Sequence, residues 1–248
     1  MKFKYISMSI ALSMLLGACG DSKTTISSTD SAKTEEENVE QKQEKEESKA
    51  RLEIVDSTGT AWVNSIGTVW VHSAAIFENT GDTAVNIGET QMNYKATDGS
   101  ILGTSTMIYS VPEIVNPGET AVIVESTILD GVTNKDQYAE TSYNFNYDAT
   151  DEDPNLMETS AIKGINGEYE YKVTGLVKNP TDIQQEDVRI AAILYDAEGN
   201  LLGALSGSVD VGLAPQGEAG FELSYPNLPE EIGAKVAKID VKSYGWTW

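Results

Sequence analysis

From about Arg51 onward the apolar residues of this chain recur every second position, the period of a half-buried strand and not of a helix. The clearest run is 187–196, where Val188, Ile190, Ala192 and Leu194 take one face and Arg189, Ala191, Ile193 and Tyr195 take the other. The same reading predicts strands over 160–165, 168–178, 201–211, 218–225 and 234–244. In the preceding half it predicts strands over 61–64, 68–78, 85–96, 100–111, 120–127 and 137–147. Gly, Asn and Pro punctuate these runs, and Asn166-Gly167 is a strong hairpin signal. Trp62, Val63 and Asn64 are expected to run antiparallel to Thr68, Val69 and Trp70 across Ser65-Ile66-Gly67. In that pair one tryptophan is expected to anchor in the core and the other to face out as a binding residue. Long helical periodicity is absent, which argues against an α/β enzyme scaffold.

The two halves repeat. Asn79 and Asn179, Gly99 and Gly199, Leu102-Gly103 and Leu202-Gly203, Gly67 and Gly167, Ala61 and Ala161, and Asp82 and Asp182 are each 100 positions apart. Gly118-Glu119 and Gly217-Glu218 follow at 99. Fixed-offset matches at turn residues are the trace of a duplicated unit. The expected architecture is therefore all-β: two tandem immunoglobulin-like β-sandwich domains, 51–147 and 159–248, joined by an acidic junction at 148–158.

The second unit resembles the FxLYD domain of bacterial and archaeal extracytoplasmic proteins. The likeness rests on Gly175-Leu-Val-Lys-Asn179-Pro-Thr-Asp182, on Val188 to Gly199 with its Leu194-Tyr195-Asp196, on Leu202-Gly203 and on Leu213-Ala-Pro215-Gln-Gly217-Glu218. It spans about 168–225. Ala192 stands where that family usually has Phe, and the first unit has Tyr94-Lys95-Ala96 in place of Leu-Tyr-Asp, so it reads as a degenerate copy. The resemblance implies a small β-sandwich carried on a lipoprotein or membrane stalk, with no catalytic residues.

The first fifty residues have a different pattern. Lys2 and Lys4 precede an apolar stretch from Ile6 to Leu16. That stretch has the length of a signal-peptide core and is shorter than the roughly 20 residues needed to span a bilayer. Leu16-Gly17-Ala18-Cys19 resembles the lipobox of bacterial lipoprotein precursors, which implies cleavage after Ala18 and a diacylglycerol on the Cys19 thiol. Residues 1–18 are thus the expected signal peptide. Residues 19–50, rich in Ser, Thr, Glu, Lys and Gln, hold too few apolar residues to offset chain ordering and are expected to be a disordered stalk. The chain has one cysteine, so no internal disulfide forms.

Charge narrows the partners. A formal net charge of −22 argues against nucleic acid, which needs clustered Lys and Arg, and against direct adhesion to anionic lipid. It favours solubility, cations or basic partners. The only histidine, His72, has no second imidazole or thiol with which to share zinc, and no Gly-x-Ser-x-Gly context makes it a triad member. Met92, Met107 and Met157 are scattered, which does not make a copper site. The junction run Asp148-Ala-Thr-Asp151-Glu152-Asp153 supplies closely spaced oxygens, so Asp148, Asp151 and Asp153 are candidate calcium ligands, the only cofactor considered. Trp62 and Trp70, the alternating Tyr143, Phe145 and Tyr147, and Trp246 and Trp248 are the candidate contact aromatics.

These features read together as a non-catalytic, lipid-anchored binding or scaffold module on the outer face of the bacterial cell membrane. Its expected partner is a protein or cell-wall component. The alternatives are a solute-binding lipoprotein of a transporter, which would need α/β lobes, and an envelope enzyme, which would need a deep pocket of convergent polar groups.

Overall fold

The two-residue period is what the chain folds by. The structure, a computed structural model, describes residues 49–167 and 170–247. Cys19, the lipobox residues Leu16, Gly17 and Ala18, the signal segment and nearly all of the stalk lie outside the described residues, as does Trp248.

Strands β1 (Leu52–Val63), β2 (Val69–Asn79), β3 (Val85–Ala96), β4 (Ile101–Ile108), β5 (Ile114–Val115), β6 (Thr120–Ile128) and β7 (Tyr138–Ala149) make up the first half. The second half holds β8 (Glu158–Asn166), β9 (Tyr171–Lys178), β10 (Asp187–Tyr195), β11 (Leu201–Val209), β12 (Glu218–Leu223), a one-turn helix α1 (Glu230–Gly233) and β13 (Lys238–Trp246). All named strand pairs are antiparallel, and they form four sheets: β1–β2–β6; β3 with β4, β5 and β7; β12–β9–β8; and β11–β10–β13. The fold is all-β.

Three apolar layers hold the sheets. Val71, Ala75 and Phe77 of β2 and Ile123 of β6 pack against Val85, Ile87, Met92 and Tyr94 of β3. Val188, Ile190, Ala192 and Leu194 of β10 pack against Val173 and Val177 of β9 and Phe221 and Leu223 of β12. The third layer joins the halves. Ala74 and Ile76 of β2 and Val122 and Val124 of β6 meet Ala191 and Ile193 of β10, Leu201 and Ala204 of β11, and Tyr244 of β13. The central strands β2 and β10 are therefore buried on both faces, and the described residues of the two halves form one compact unit. Alternation along β10 sorts its residues between two cores, not between core and water.

The repeated positions carry repeated geometry. Asn79 is buried, and its side-chain amide donates to the carbonyls of Thr83 and Val115 while its oxygen accepts from the Gly81 amide. Asn179 is buried likewise, donating to the carbonyls of Ile183, Leu213 and Ala214 and accepting from Thr181. Each asparagine thus pins a loop to a distant one through backbone groups that would otherwise be buried unpaired. In both halves the pairing skips one residue at the Leu-Gly dipeptide: Tyr94 faces Gly103 and Lys95 faces Ile101, while Leu194 faces Gly203 and Tyr195 faces Leu201. The shared Leu-Gly motif is a β-bulge.

Three sequence expectations need correction. The first strand begins at Leu52, not near residue 61. The run Asp56-Ser-Thr-Gly59-Thr has no apolar alternation to mark it but is held by the β2 ladder, with a bulge between Ile54 and Asp56. A Cβ on Gly59 would fall 1.9 Å from the Tyr138 hydroxyl, so glycine lets that ring lie across the edge strand. Asn166-Gly167 is not a two-residue turn, because the ladder closes at Asn166 opposite Tyr171 and the Gly167 amide donates to the Glu170 carbonyl. Finally, the last strand starts at Lys238, after α1, and not at 234.

Candidate functional site

The site grows from the β1–β2 hairpin. The Asn64 side-chain oxygen accepts from the amides of Ile66 and Thr68, the Asn64 amide donates to the Thr68 carbonyl, and Gly67 takes the positive φ that the turn requires. This sets Trp62 directly opposite Trp70 and Val63 opposite Val69, the expected pairing. The expectation of one tryptophan inward and one outward does not hold. Directly opposed residues of an antiparallel pair point to the same face, and the two indoles stack with centroids 6.0 Å apart and planes at 27°. Both are half-buried.

That face is the one that meets the second half. Along β2, Trp70, His72, Ala74 and Ile76 share it. Ala74 and Ile76 lie in the apolar layer between the halves. His72 comes next and is fully buried. Its Nδ1 lies 2.8 Å from the Ser126 hydroxyl, and its Nε2 accepts from the Ala204 amide at 3.3 Å. The Ser126 hydroxyl gives its single proton to the Asn227 carbonyl, 2.7 Å away, so Nδ1–H must be the donor to Ser126. The imidazole is neutral with its proton on Nδ1, and burial pushes its pKa down to about 3. A Cβ at residue 203 would fall 2.5 Å from His72 Nε2, so Gly203 is what lets β11 approach the ring. His72 is a hydrogen-bonded lock between the halves, out of reach of solvent.

Beyond His72 the seam opens. Trp62 and Trp70 line a cleft of about 580 Å³, with Asn64, Ser65 and Lys135 on the same side. Tyr171, Ser224 and the segment from Asn227 to Glu231 form the opposite wall, with Glu170 also at its edge. Pro229 and α1 hold Glu230 and Glu231 at the surface while Ile232 is buried beneath them. Glu170 is paired with Lys172 at 3.0 Å. Among the described residues no ion pair reaches Glu230, Glu231 or Lys135. The cleft thus offers two aromatic rings, amide and hydroxyl groups, three carboxylates and one ammonium. Its volume lies within the range of small-ligand sites.

The sequence singled out Trp62 and Trp70 but not their opposite wall. The segment 224–231 carries no pattern beyond its prolines, and only the packing of β2 against β11 brings it across from the hairpin. Tyr143, Phe145 and Tyr147 pack against the first core, with Phe145 edge-on to Phe77. Trp246 ends β13 opposite Asp187.

The calcium candidates do not converge. Asp148 lies one residue before the end of β7, opposite Asn86, and Asp151 and Asp153 follow as exposed residues. Among the described residues no group of three or more His, Cys, Asp or Glu side chains is placed to hold a metal. The junction is instead tied down after Pro154. The Asn155 amide group donates to the Gly245 carbonyl, the Gly245 amide donates to the Asn155 carbonyl, and the Met157 amide donates to the Ser243 carbonyl. No helix among the described residues is long and apolar enough to cross a membrane. Set against known proteins, the chain matches no protein-family model and no curated protein.

Proposed function

We propose that this chain is a non-catalytic, lipid-anchored binding module of the bacterial cell envelope, held on the outer membrane face by Cys19 and using the tryptophan-walled cleft to hold its ligand. The observation that carries this reading is the pair Trp62 and Trp70, stacked in register yet left half-open where the rest of their sheet face is sealed. Large aromatic rings are the side chains that gain most from being covered, and rings left at a cleft mark contact sites. The anchor rests on Lys2, Lys4, the apolar stretch from Ile6 to Leu16, and Leu16-Gly17-Ala18-Cys19. The duplication of one FxLYD-like unit over 51–147 and 159–248 belongs to the same proposal. It is supported by the matched asparagine clamps and Leu-Gly bulges.

Two measurements test it. Metabolic labelling with a fatty-acid probe should mark the wild type and not Cys19→Ala; undiminished label in the variant removes the anchor. A photo-crosslinking residue placed at Ser65 on intact cells should yield an adduct that disappears in Trp62→Ser. An adduct indifferent to Trp62, or none at all, removes the cleft.

A further inference from the structure

We infer that the cleft takes a small linear organic cation, an alkylamine with two or more ammonium groups, and this rests on the reading of the cleft as the binding site. The walls and the rim point to the same chemistry from separate residues. The stacked indoles of Trp62 and Trp70 present electron-rich faces, which attract ammonium groups and cover methylene chains. Across from them Glu230 and Glu231 stand exposed on a turn fixed by Pro229, with no cationic side chain paired to either among the described residues. Glu170 at the edge is already paired with Lys172, so Glu230 and Glu231 are the two unpaired carboxylates, set against the single ammonium of Lys135 among the lining residues.

Charge complementarity selects the occupant. An anion would meet that rim and a chain of formal net charge −22, and like charges in a cleft are repelled. A neutral oligosaccharide could stack on the rings but would bring no charge to the unpaired carboxylates of Glu230 and Glu231. A flexible diamine or triamine places its ammonium groups at the carboxylates and its methylenes on the rings. A cleft of about 580 Å³ is in the size class of small-molecule sites, so a free amine fits better than a folded basic partner.

The test uses the full lipidated protein in detergent, with spermidine as the probe, followed by titration calorimetry and tryptophan fluorescence. Saturable binding is expected, weakening as salt is raised from about 20 mM to about 150 mM. It should fall about tenfold or more in Glu230→Gln with Glu231→Gln, two exposed positions whose exchange leaves the fold alone. The remote pair Glu198→Gln with Glu218→Gln should bind as the wild type does. Equal affinity in the Glu230 and Glu231 variant, or an equal loss in the remote pair, overturns the inference, because attraction would then be diffuse. Parallel titrations with chitotetraose and tetralysine separate the two levels of the argument. If either saturates in a Trp62-dependent way while spermidine does not, the cleft stands as the binding site and the small cation falls. If no probe binds and the Ser65 crosslink is also empty, both fall.

Discussion

Ile76 and Ala74 share one face of the β1–β2–β6 sheet with Trp70 and Trp62, yet the two ends of that face are used in opposite ways. At one end, alanines and β-branched residues close against β10, β11 and β13 into a dry layer. At the other, two much larger rings face a cleft with an acidic rim. His72 sits between them as the last buried group, with both nitrogens bonded. Small side chains let the sheets approach, and bulky ones hold them apart where the cleft begins. The cleft is therefore the unsealed end of a core, and its rigidity comes from the sealed end.

The sealed end gives the largest expected effect. Ile193 is buried between the halves, so Ile193→Asp places an unpaired carboxylate in an apolar layer and should destabilise by about 4 kcal/mol or more. Urea unfolding should show either loss of the folded state or a much lower midpoint. A midpoint near that of the wild type would mean that the layer between the halves is not a core, and the contrast drawn above would go with it.

His72 gives the next effect, through pH. Its pKa lies near 6.5 in the unfolded chain and is pushed down to about 3 when folded. Between those values the unfolded state binds the extra proton, so stability rises with pH across the window. The contribution is complete above about pH 6.5 and is lost as pH falls toward 3. The slope is about 1.4 kcal/mol per pH unit. His72→Gln lacks that titration, so the stability gap between wild type and variant should shrink by about 2 kcal/mol from pH 6.5 to pH 4.5. A constant gap would mean that the imidazole reaches water, and the seam would then be open at that point too.

Asn79 and Asn179 test whether the two halves are held alike. Either asparagine changed to Ala strands buried carbonyls, at about 2 kcal/mol. The two losses should agree to within about 1 kcal/mol, since each clamp bonds the carbonyl four residues on and a loop 34 to 36 positions away. A severe effect in one half only would locate the seam's support there.

Much of this was legible in the chain. Alternation gave the strands because a residue facing a core must be apolar wherever the core lies. Asn79 and Asn179, and Gly99 and Gly199, were readable as turn residues from their fixed offset, because local backbone geometry restricts residue type directly. What alternation does not carry is the identity of the second partner: Ala191 and Ile193 look like the weaker face of β10, though they are as buried as Ile190 and Ala192. Nor does it carry the far wall of the cleft, since Ser224 to Glu231 reaches the hairpin only through long-range packing. Trp62 and Trp70 were found as a pair but sorted to opposite sides. The register expected for the hairpin already ruled that out, because residues directly across an antiparallel ladder share a face.

The smallest effect bears on that pair. Because the rings are half-buried and stacked on each other, each supports the other as well as the cleft. Trp62→Ser alone and Trp70→Ser alone should each cost less than the 3–5 kcal/mol of a fully buried aromatic truncation. The double variant should cost less than the sum of the two, by the stacking energy of about 0.5–1.5 kcal/mol. A thermodynamic cycle by urea unfolding reads this directly. Additive losses would mean that the rings act independently, each anchored by its own strand. In that case the cleft would have two separate aromatic walls, and a ligand would be expected to lose affinity by the same factor with either one removed. Coupling predicts otherwise: once one ring is gone its partner loses its support and reorients, so the second substitution weakens ligand capture far less than the first. The order in which the two tryptophans are removed should not matter, and the single variants should already show most of the loss.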